Sequence, residues 1–254
     1  MISRKSTKRL IRRWAYDRGY IVEPRRHVTL IALAERLRQI FADYTIETVI
    51  DVGANEGQYG AFLRERVGFA GRIESFEPIP SVVQKLRKRT AVDDKWTVHE
   101  RALGAEAGHR TLNVAALTVF SSFHPIAQEH RATIPVAESI NVAMTTLDAE
   151  IFGKVDLRHT YLKLDTQGFD LEVLKGAPRS IAHIPALQTE VSFQPFYRNM
   201  PSYRDSLDAF GRHGFVVADF FLAAADGNRV AMEFDCLMVR PPGRAPNHPE
   251  RTNH

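Results

Sequence analysis

Cysteine is almost absent: Cys236 is the only one in the chain. An internal disulfide is therefore excluded, as is a metal site built from several thiolates. Cys236 lies in the apolar run Cys236-Leu237-Met238-Val239, where a buried, inert thiol is expected rather than a nucleophile. Long hydrophobic stretches are missing too. No run of about 18 apolar residues occurs, so no membrane-spanning helix is expected. The charged N-terminus lacks the apolar core of a secretory signal, and a cytoplasmic location is the expectation. No internal repeat is present, and with 44% hydrophobic and 25% charged residues the chain has the material for a sizeable core.

Negative charge is scarce at the start of the chain. Residues 1–26 hold nine Lys and Arg against Asp17 and Glu23, so this segment is +7 and the remainder −3 within a net charge of +4. The basicity belongs to an arm, not to the body, which argues against a nucleic-acid groove across the main domain. Leu10, Ile11, Trp14 and Ala15 fall near one helical face with Arg9, Arg12, Arg13 and Arg18 around it. That pattern suits a helix lying on an anionic membrane surface, hence peripheral contact with the inner face of a membrane. Packing on the domain or on a second subunit is the competing reading.

Three regions are expected. Residues 1–45 form the arm and then a helix, with Leu30, Ile31, Leu33, Ala34, Leu37, Ile40 and Phe41 near helical spacing. Residues 46–240 alternate strand and helix patterns, as in an α/β domain with a largely parallel sheet. Residues 241–254 are polar and proline-rich and are expected to be disordered. The predicted strands are Thr48–Val52, Arg72–Phe76, Thr97–Ala102, Thr160–Asp165, Ala186–Phe193, Phe215–Phe220 and Asp235–Val239. Helices are predicted at Gln58–Arg66, Ser81–Thr90, Phe169–Lys175 and Ser202–His213; Gly176 and Pro178 stop the third. Residues 103–147 break the rhythm, with Arg110–Ala115 and Ile140–Thr145 as extra strands of an insertion.

The sharpest local signal is Asp51-Val52-Gly53-Ala54-Asn55-Glu56-Gly57, where an apolar strand meets a glycine-rich turn and then a helix. Gly53 and Gly57 would let the backbone approach a ligand, and the helix start offers free N–H groups. A dinucleotide fingerprint needs G-x-G-x-x-G, but Asn55 stands at its second glycine and the glycines fall at 53, 57 and 60. A nicotinamide enzyme is disfavoured. The next strand ends at Glu77, 24 positions after Gly53, where a carboxylate can accept both hydroxyls of a ribose. A plain surface carboxylate is the bland alternative.

These blocks, followed by Ala102-Leu103-Gly104, Thr146-Leu147-Asp148 and the run Leu162-Lys163-Leu164-Asp165-Thr166-Gln167-Gly168-Phe169-Asp170, resemble the FkbM-type methyltransferases of the class I superfamily over about residues 46–240. The resemblance implies a Rossmann-like α/β fold: a seven-stranded, mostly parallel sheet with helices on both faces and an N-terminal helical extension. It implies S-adenosyl-L-methionine as cofactor. Gly53, Asn55 and Gly57 would meet its amino-acid end, Glu77 its ribose, and Ala102 and Leu103 the rim of the adenine pocket, with Ala54 also among the cofactor-binding residues. Asp51 would orient the glycine loop. The acceptor implied is a small or lipid-linked hydroxyl compound: a sugar, glycolipid or polyketide-like molecule.

Transfer from a sulfonium gains chiefly from orientation, but a weakly acidic hydroxyl benefits from a nearby base. Asp165 and Glu190 should stand at neighbouring strand ends, with Asp165 closest to the transferring methyl, and His124 could enter from the insertion. Gln167 occupies a position where many family members carry Glu, and a neutral amide cannot take a proton. Metal-free transfer is expected, although a carboxylate pair could hold Mg²⁺. Two other functions compete. A nucleic-acid methyltransferase would use the arm on phosphates, but Thr166-Gln167-Gly168 is not the motif used on base amines. A non-catalytic docking protein would retain the fold without the cofactor.

Overall fold

The computed structural model describes residues 28–241 together with Trp14 and Arg18. The expected membrane-surface helix falls largely outside the described residues, as does the tail beyond residue 241. Helix α1 (Val28–Asp43) buries Leu33, Ala34, Leu37, Ile40 and Phe41, the one-sided spacing of a helix laid on a sheet.

That sheet has seven strands: β1 (Thr48–Val52), β2 (Arg72–Phe76), β3 (Trp96–His99), β7 (Thr160–Leu164), β8 (Ala186–Ser192), β9 (Val216–Ala225) and β10 (Ala231–Val239). Their order is β3-β2-β1-β7-β8-β10-β9. Neighbours from β3 to β8 pair parallel, and β10 runs antiparallel between β8 and β9. Every residue of β1 and β7 is buried, as central parallel strands covered on both faces should be. The α/β class and the seven-stranded sheet expected from the sequence are what the chain forms.

Helices cover both faces. Over one lie α4 (Leu147–Ile151), α5 (Asp170–Lys175) and α6 (Tyr203–Arg212), packed with Ile50, Leu162, Leu187, Cys236 and Met238. Over the other lie α1, α2 (Gln58–Phe62) and α3 (Pro80–Thr90), whose cluster includes Val49, Ile73, Tyr161, Ala186 and Leu237. Helix α6 starts at a capping box between Ser202 and Asp205. Cys236 is fully buried, and burial pushes its thiol up to about 12, so it carries no thiolate at neutral pH.

Local corrections have local causes. The third strand stops at His99 because Arg101 N–H turns back to the His99 carbonyl at 3.0 Å. Ala102–Leu103 then becomes β4 of a second sheet, ordered β4-β6-β5, with β5 (Gly108–Ala115) and β6 (Val136–Thr145) supplied by the insertion. The helix predicted to Arg66 widens into a π turn at Leu63–Val67, closed by Gly68 at φ 78 with its N–H on the Leu63 carbonyl. Strands β9 and β10 extend past their predicted ends and meet at a turn where Asp226 Oδ1 accepts from Asn228 and Val230 N–H, at 2.9 and 2.8 Å.

Candidate active site

The C-terminal ends of β1, β2 and β7 converge on the glycine loop. Gly53 and Ala54 donate their N–H groups to the Phe76 carbonyl at 3.0 and 3.1 Å. Gly53 adopts φ 81, and a Cβ there would run into the Asp165 carbonyl oxygen, so both backbone conformation and space demand glycine. Asn55 also sits at positive φ, and its N–H donates to Glu77 Oε2 at 2.9 Å while Ile79 N–H donates to Glu77 Oε1 at 2.9 Å. Each Glu77 oxygen thus keeps a lone pair free. Burial pushes the Glu77 carboxyl up to about 7 against these two stabilising N–H groups.

Behind the loop runs a chain of buried polar groups. Trp96 Nε1–H donates to Ser75 Oγ at 2.9 Å, and Ser75 donates to Asp51 Oδ2 at 3.2 Å. Burial raises the Asp51 carboxyl to about 6, opposed by Lys163 on the adjacent strand. Ser75, Asp51, Lys163 and Gln188 stand in register across β2, β1, β7 and β8, so strand alternation puts them on one face.

A cavity of about 610 Å³ opens on this face, well within the range of small-molecule sites. Asp51, Gly53, Ala54, Asn55, Glu77, Ala102 and Leu103 line it, and so do Asp165 and Glu190. The structure thereby gathers seven of the residues expected to hold the cofactor, counted from its lining, beside two of the three expected to manage the proton. Gly57 is not in the wall. Its φ of 81 serves packing, since a Cβ there would meet Leu86 and Trp96. His124 is not in the wall either. Its ring lies 5.8 Å from that of Phe169 and is hydrogen-bonded to the Gly168 backbone, and burial lowers its pKa. Phe123 takes the lining place instead.

The second half of the cavity is a charged layer. Lys163 Nζ lies 3.3 Å from Asp165 Oδ2 and 3.8 Å from Asp235 Oδ1. Burial works to lower this ammonium, but Asp165, Asp235, Glu190 and Asp170 around it together raise it above the ordinary lysine value. Gln167 bridges the acids, donating from Nε2 to Asp165 Oδ1 at 3.1 Å and to Glu190 Oε2 at 3.0 Å. The Glu190 carboxyl is raised well above its usual range by burial, then by Asp165 and Glu233. Glu233, which accepts from Ser192 Oγ at 2.8 Å, is raised to about 7 chiefly by burial. Asp165 has both oxygens engaged, whereas Glu190 Oε1 takes no hydrogen bond among the described residues.

Two latches hold the insertion over this cavity. Asn55 Nδ2 donates to Thr118 Oγ1 at 3.2 Å, at the 3₁₀ turn Thr118–Phe120. On the other side Ser122 Oγ donates to the Gln167 carbonyl at 2.8 Å, and the Tyr197 hydroxyl lies 2.8 Å from Gln167 Oε1 and 2.9 Å from the Phe120 carbonyl. Gln167 itself sits at φ 54. Asp170 fixes its turn by accepting from Thr166 N–H at 3.0 Å and Thr189 Oγ1 at 2.6 Å.

Sequence reasoning missed Lys163, Gln188, Glu233 and Asp235. A usable signal existed for the first: a lysine in the middle of Tyr161-Leu162-Lys163-Leu164, a strand apolar enough to be central, stays charged there only if acids surround it. Gln167 was read as a weakened catalytic position, and it is the clamp between two acids. Among the described residues, no group of three or more His, Cys, Asp or Glu side chains is arranged to hold a metal ion, and no helix is long and apolar enough to cross a membrane.

Comparison with known proteins gives the following. The model of the methyltransferase FkbM domain matches residues 51–217. No curated protein matches the sequence. Among solved structures, the methyltransferase FkbM from Methylobacillus flagellatus KT is 18% identical with a TM-score of 0.48; the match covers 75% of this chain and 43% of that one. The chain thus spans less than half the length of that protein. The magnesium protoporphyrin IX methyltransferase from Synechocystis PCC 6803, solved with bound SAM, is 11% identical with a TM-score of 0.47, over 92% of this chain and 97% of that one. Fibrillarin from Aeropyrum pernix, with natively bound S-adenosyl-L-methionine, is 12% identical with a TM-score of 0.42, over 75% and 66%.

Proposed function

The chain belongs to the FkbM methyltransferase family, and from that premise we propose that it transfers the methyl group of S-adenosyl-L-methionine to a hydroxyl of a sugar, glycolipid or polyketide-like acceptor. The observation that carries the cofactor reading is Glu77: a buried carboxylate held by two backbone N–H groups beside a loop that tolerates only glycine at position 53. Such a group is poised to accept a vicinal diol, and an adenosine ribose presents one. Gly53, Ala54 and Asn55 would hold the amino-acid end, with Ala102 and Leu103 at the adenine. When bound, S-adenosyl-L-methionine supplies an electrophilic methyl on sulfur.

The protein's own task is then to place the acceptor and receive its proton. Glu190 suits this better than Asp165. Glu190 lines the cavity, its Oε1 takes no hydrogen bond among the described residues, and burial makes its ionised form the stronger base. Asp165, tied to Lys163 and Gln167, acts as an anchor for that arrangement. In this reading His124, which does not line the cavity, has no part. A nucleic-acid acceptor suits the cavity poorly, because its lining cations Lys163 and Arg101 are both paired with acids and leave none for phosphate.

Calorimetry with S-adenosyl-L-methionine and S-adenosylhomocysteine tests the cofactor, and absence of binding by both would overturn the enzyme reading in favour of a docking protein. Mass spectrometry of metabolites and lipids from cells with and without the protein should reveal species differing by one methyl. With an acceptor so found, Glu190→Gln should slow turnover by about 10²–10⁴-fold while leaving cofactor affinity nearly intact. Full turnover in that variant would remove Glu190 from the role.

A further inference from the structure

The cavity does not end at the glycine loop. It continues past Asp51 and Lys163 to Leu30 and Leu33 of α1, Tyr59 and Phe62 of α2, and Ala223 and Ala224 of β9. This extension has an apolar roof and a charged floor. The roof comes from the two helices, and its one hydroxyl, Tyr59 OH, is spent on Gln188 Oε1 at 2.9 Å. The floor is the sheet face bearing Asp165, Glu190, Glu233 and Asp235. Small residues at 223 and 224 leave room at the far end, and Leu30 and Ala223 are both exposed to solvent there, which marks a mouth.

Resting on the functional reading above, we propose that this chamber between α1, α2 and the β8-β10-β9 end of the sheet is the acceptor site, and that it admits an uncharged amphiphile while excluding anions. The apolar body lies under α1 and α2, and its hydroxyls donate to Glu190 and Glu233. Four carboxyl groups face a single ammonium; burial favours the protonated form of Glu190 and, below about pH 7, of Glu233, yet none of the four offers an anion a positive partner. Lys163 has no donor to spare for an incoming anion, because it pairs with Asp165 and Asp235 and donates to the Leu164 carbonyl at 3.3 Å. The other lining cation, Arg101, flanks Ala102 at the opposite end and is held by Glu150 at 3.1 Å. A carboxylate or phosphate entering from the mouth therefore gives up its water for a buried acidic layer with no free cation to answer it. A neutral hydroxyl finds acceptors in surplus.

Two near-isosteric probes separate the possibilities: neutral N-phenyl-1-naphthylamine, and 1-anilinonaphthalene-8-sulfonate, which adds one negative charge. Titrated by fluorescence into the full chain saturated with S-adenosylhomocysteine, the neutral probe should bind saturably, one per chain, and the sulfonate about tenfold or more weaker. Ala223→Trp, which fills the far end, should weaken the neutral probe by about tenfold and leave S-adenosylhomocysteine affinity unchanged. Leu30→Glu, at an exposed helical position where folding is insensitive, should weaken it in the same direction. The double variant Glu190→Gln, Glu233→Gln should narrow the gap between the probes, and more at pH 8 than at pH 6, because Glu233 ionises through about 7. Equal or tighter sulfonate binding, or neutral-probe binding indifferent to both mouth variants, overturns the proposal. Failure of S-adenosylhomocysteine to bind would instead strike the cofactor reading, and the same probe comparison, run without it, still decides the chamber.

Discussion

The two faces of one sheet are built to opposite rules. Along β7, Leu162 and Leu164 enter an all-apolar cluster with Ile50, Val52, Leu187, Val191 and Met238. The residues between and beyond them, Lys163 and Asp165, enter the layer with Asp51, Gln188, Glu190 and Asp235 on the other face. The first face holds the fold by removing hydrocarbon from water. The second keeps an apolar cluster around Val49, Ile73, Tyr161 and Leu237, but beside it gives up such contacts to hold ionisable groups where water is thin, and burial raises their carboxyl pKa values. Stability and chemistry are thus divided between alternate residues of the same strands, which is where a trade-off between the two can be tested one side chain at a time.

The largest effect should come from Lys163→Met. Removing the ammonium strands Asp165 and Asp235 without their cation, and breaking a buried pair costs about 3–5 kcal/mol. The loss should be greatest at pH 8 and shrink toward pH 6. The sign follows from linkage: Glu190, Glu233 and Asp235 have folded pKa values above their unfolded ones, so their contribution is full below the ordinary carboxylate range and is lost as pH rises, through about 7 for Glu233. On the opposite face, Leu187→Ala should cost about 2–5 kcal/mol at either pH. Denaturant melts of both variants at the two pH values make the comparison, and an equal pH response in both would dissolve the distinction between the faces.

A smaller effect isolates the cofactor end. Glu77→Ala should weaken S-adenosylhomocysteine binding by about 1.5–3 kcal/mol, the scale of a hydrogen bond to a charged group. In the wild type a ribose diol favours the ionised carboxylate, so affinity should fall as pH drops through about 7. Binding at pH 7 should release part of a proton, visible as a buffer-dependent calorimetric enthalpy that vanishes in Glu77→Gln. Smallest of all, His124→Ala should leave turnover within about twofold, because general-base effects need reach to the reacting proton and this ring packs outside the cavity. A large loss would return the base to the insertion.

Much of this arrangement could be read before folding. The alternation of Thr48–Val52, Arg72–Phe76 and Thr160–Leu164 with helical segments sufficed for the sheet, since central strands announce themselves by continuous apolarity. Gly53 and Glu77 were legible because turn geometry and strand ends are local. Glu233 and Asp235 were not, because they reach the site through the antiparallel insertion of β10 between β8 and β9, a long-range pairing that leaves no trace near residue 165. His124 is hard to read for the related reason that a loop histidine carries no information about which way it turns. The insertion's latches depend on Ser122 and Tyr197 meeting Gln167 from distant segments, and no spacing rule foretells that.

The position of β10 also bears on the order of events as the chain is made. The roof helix α1 is made before any strand of the described sheet, but the strand that completes the floor is made after the other six, and it lies between two strands made before it. Until Ala231–Val239 has been synthesised, β9 has no sheet partner, and Glu233 and Asp235 are not yet in the chain. Since chains fold progressively from the N-terminus during synthesis, a nascent protein would own its glycine loop and Glu77 before it owned a place for a second molecule. A chain truncated before residue 231 would lack the strand joining β8 to β9, and with it the far wall of the chamber. Premature termination would thus yield a product without the finished floor, and the unpaired edges of β8 and β9 would present it to the cell's quality control as incomplete.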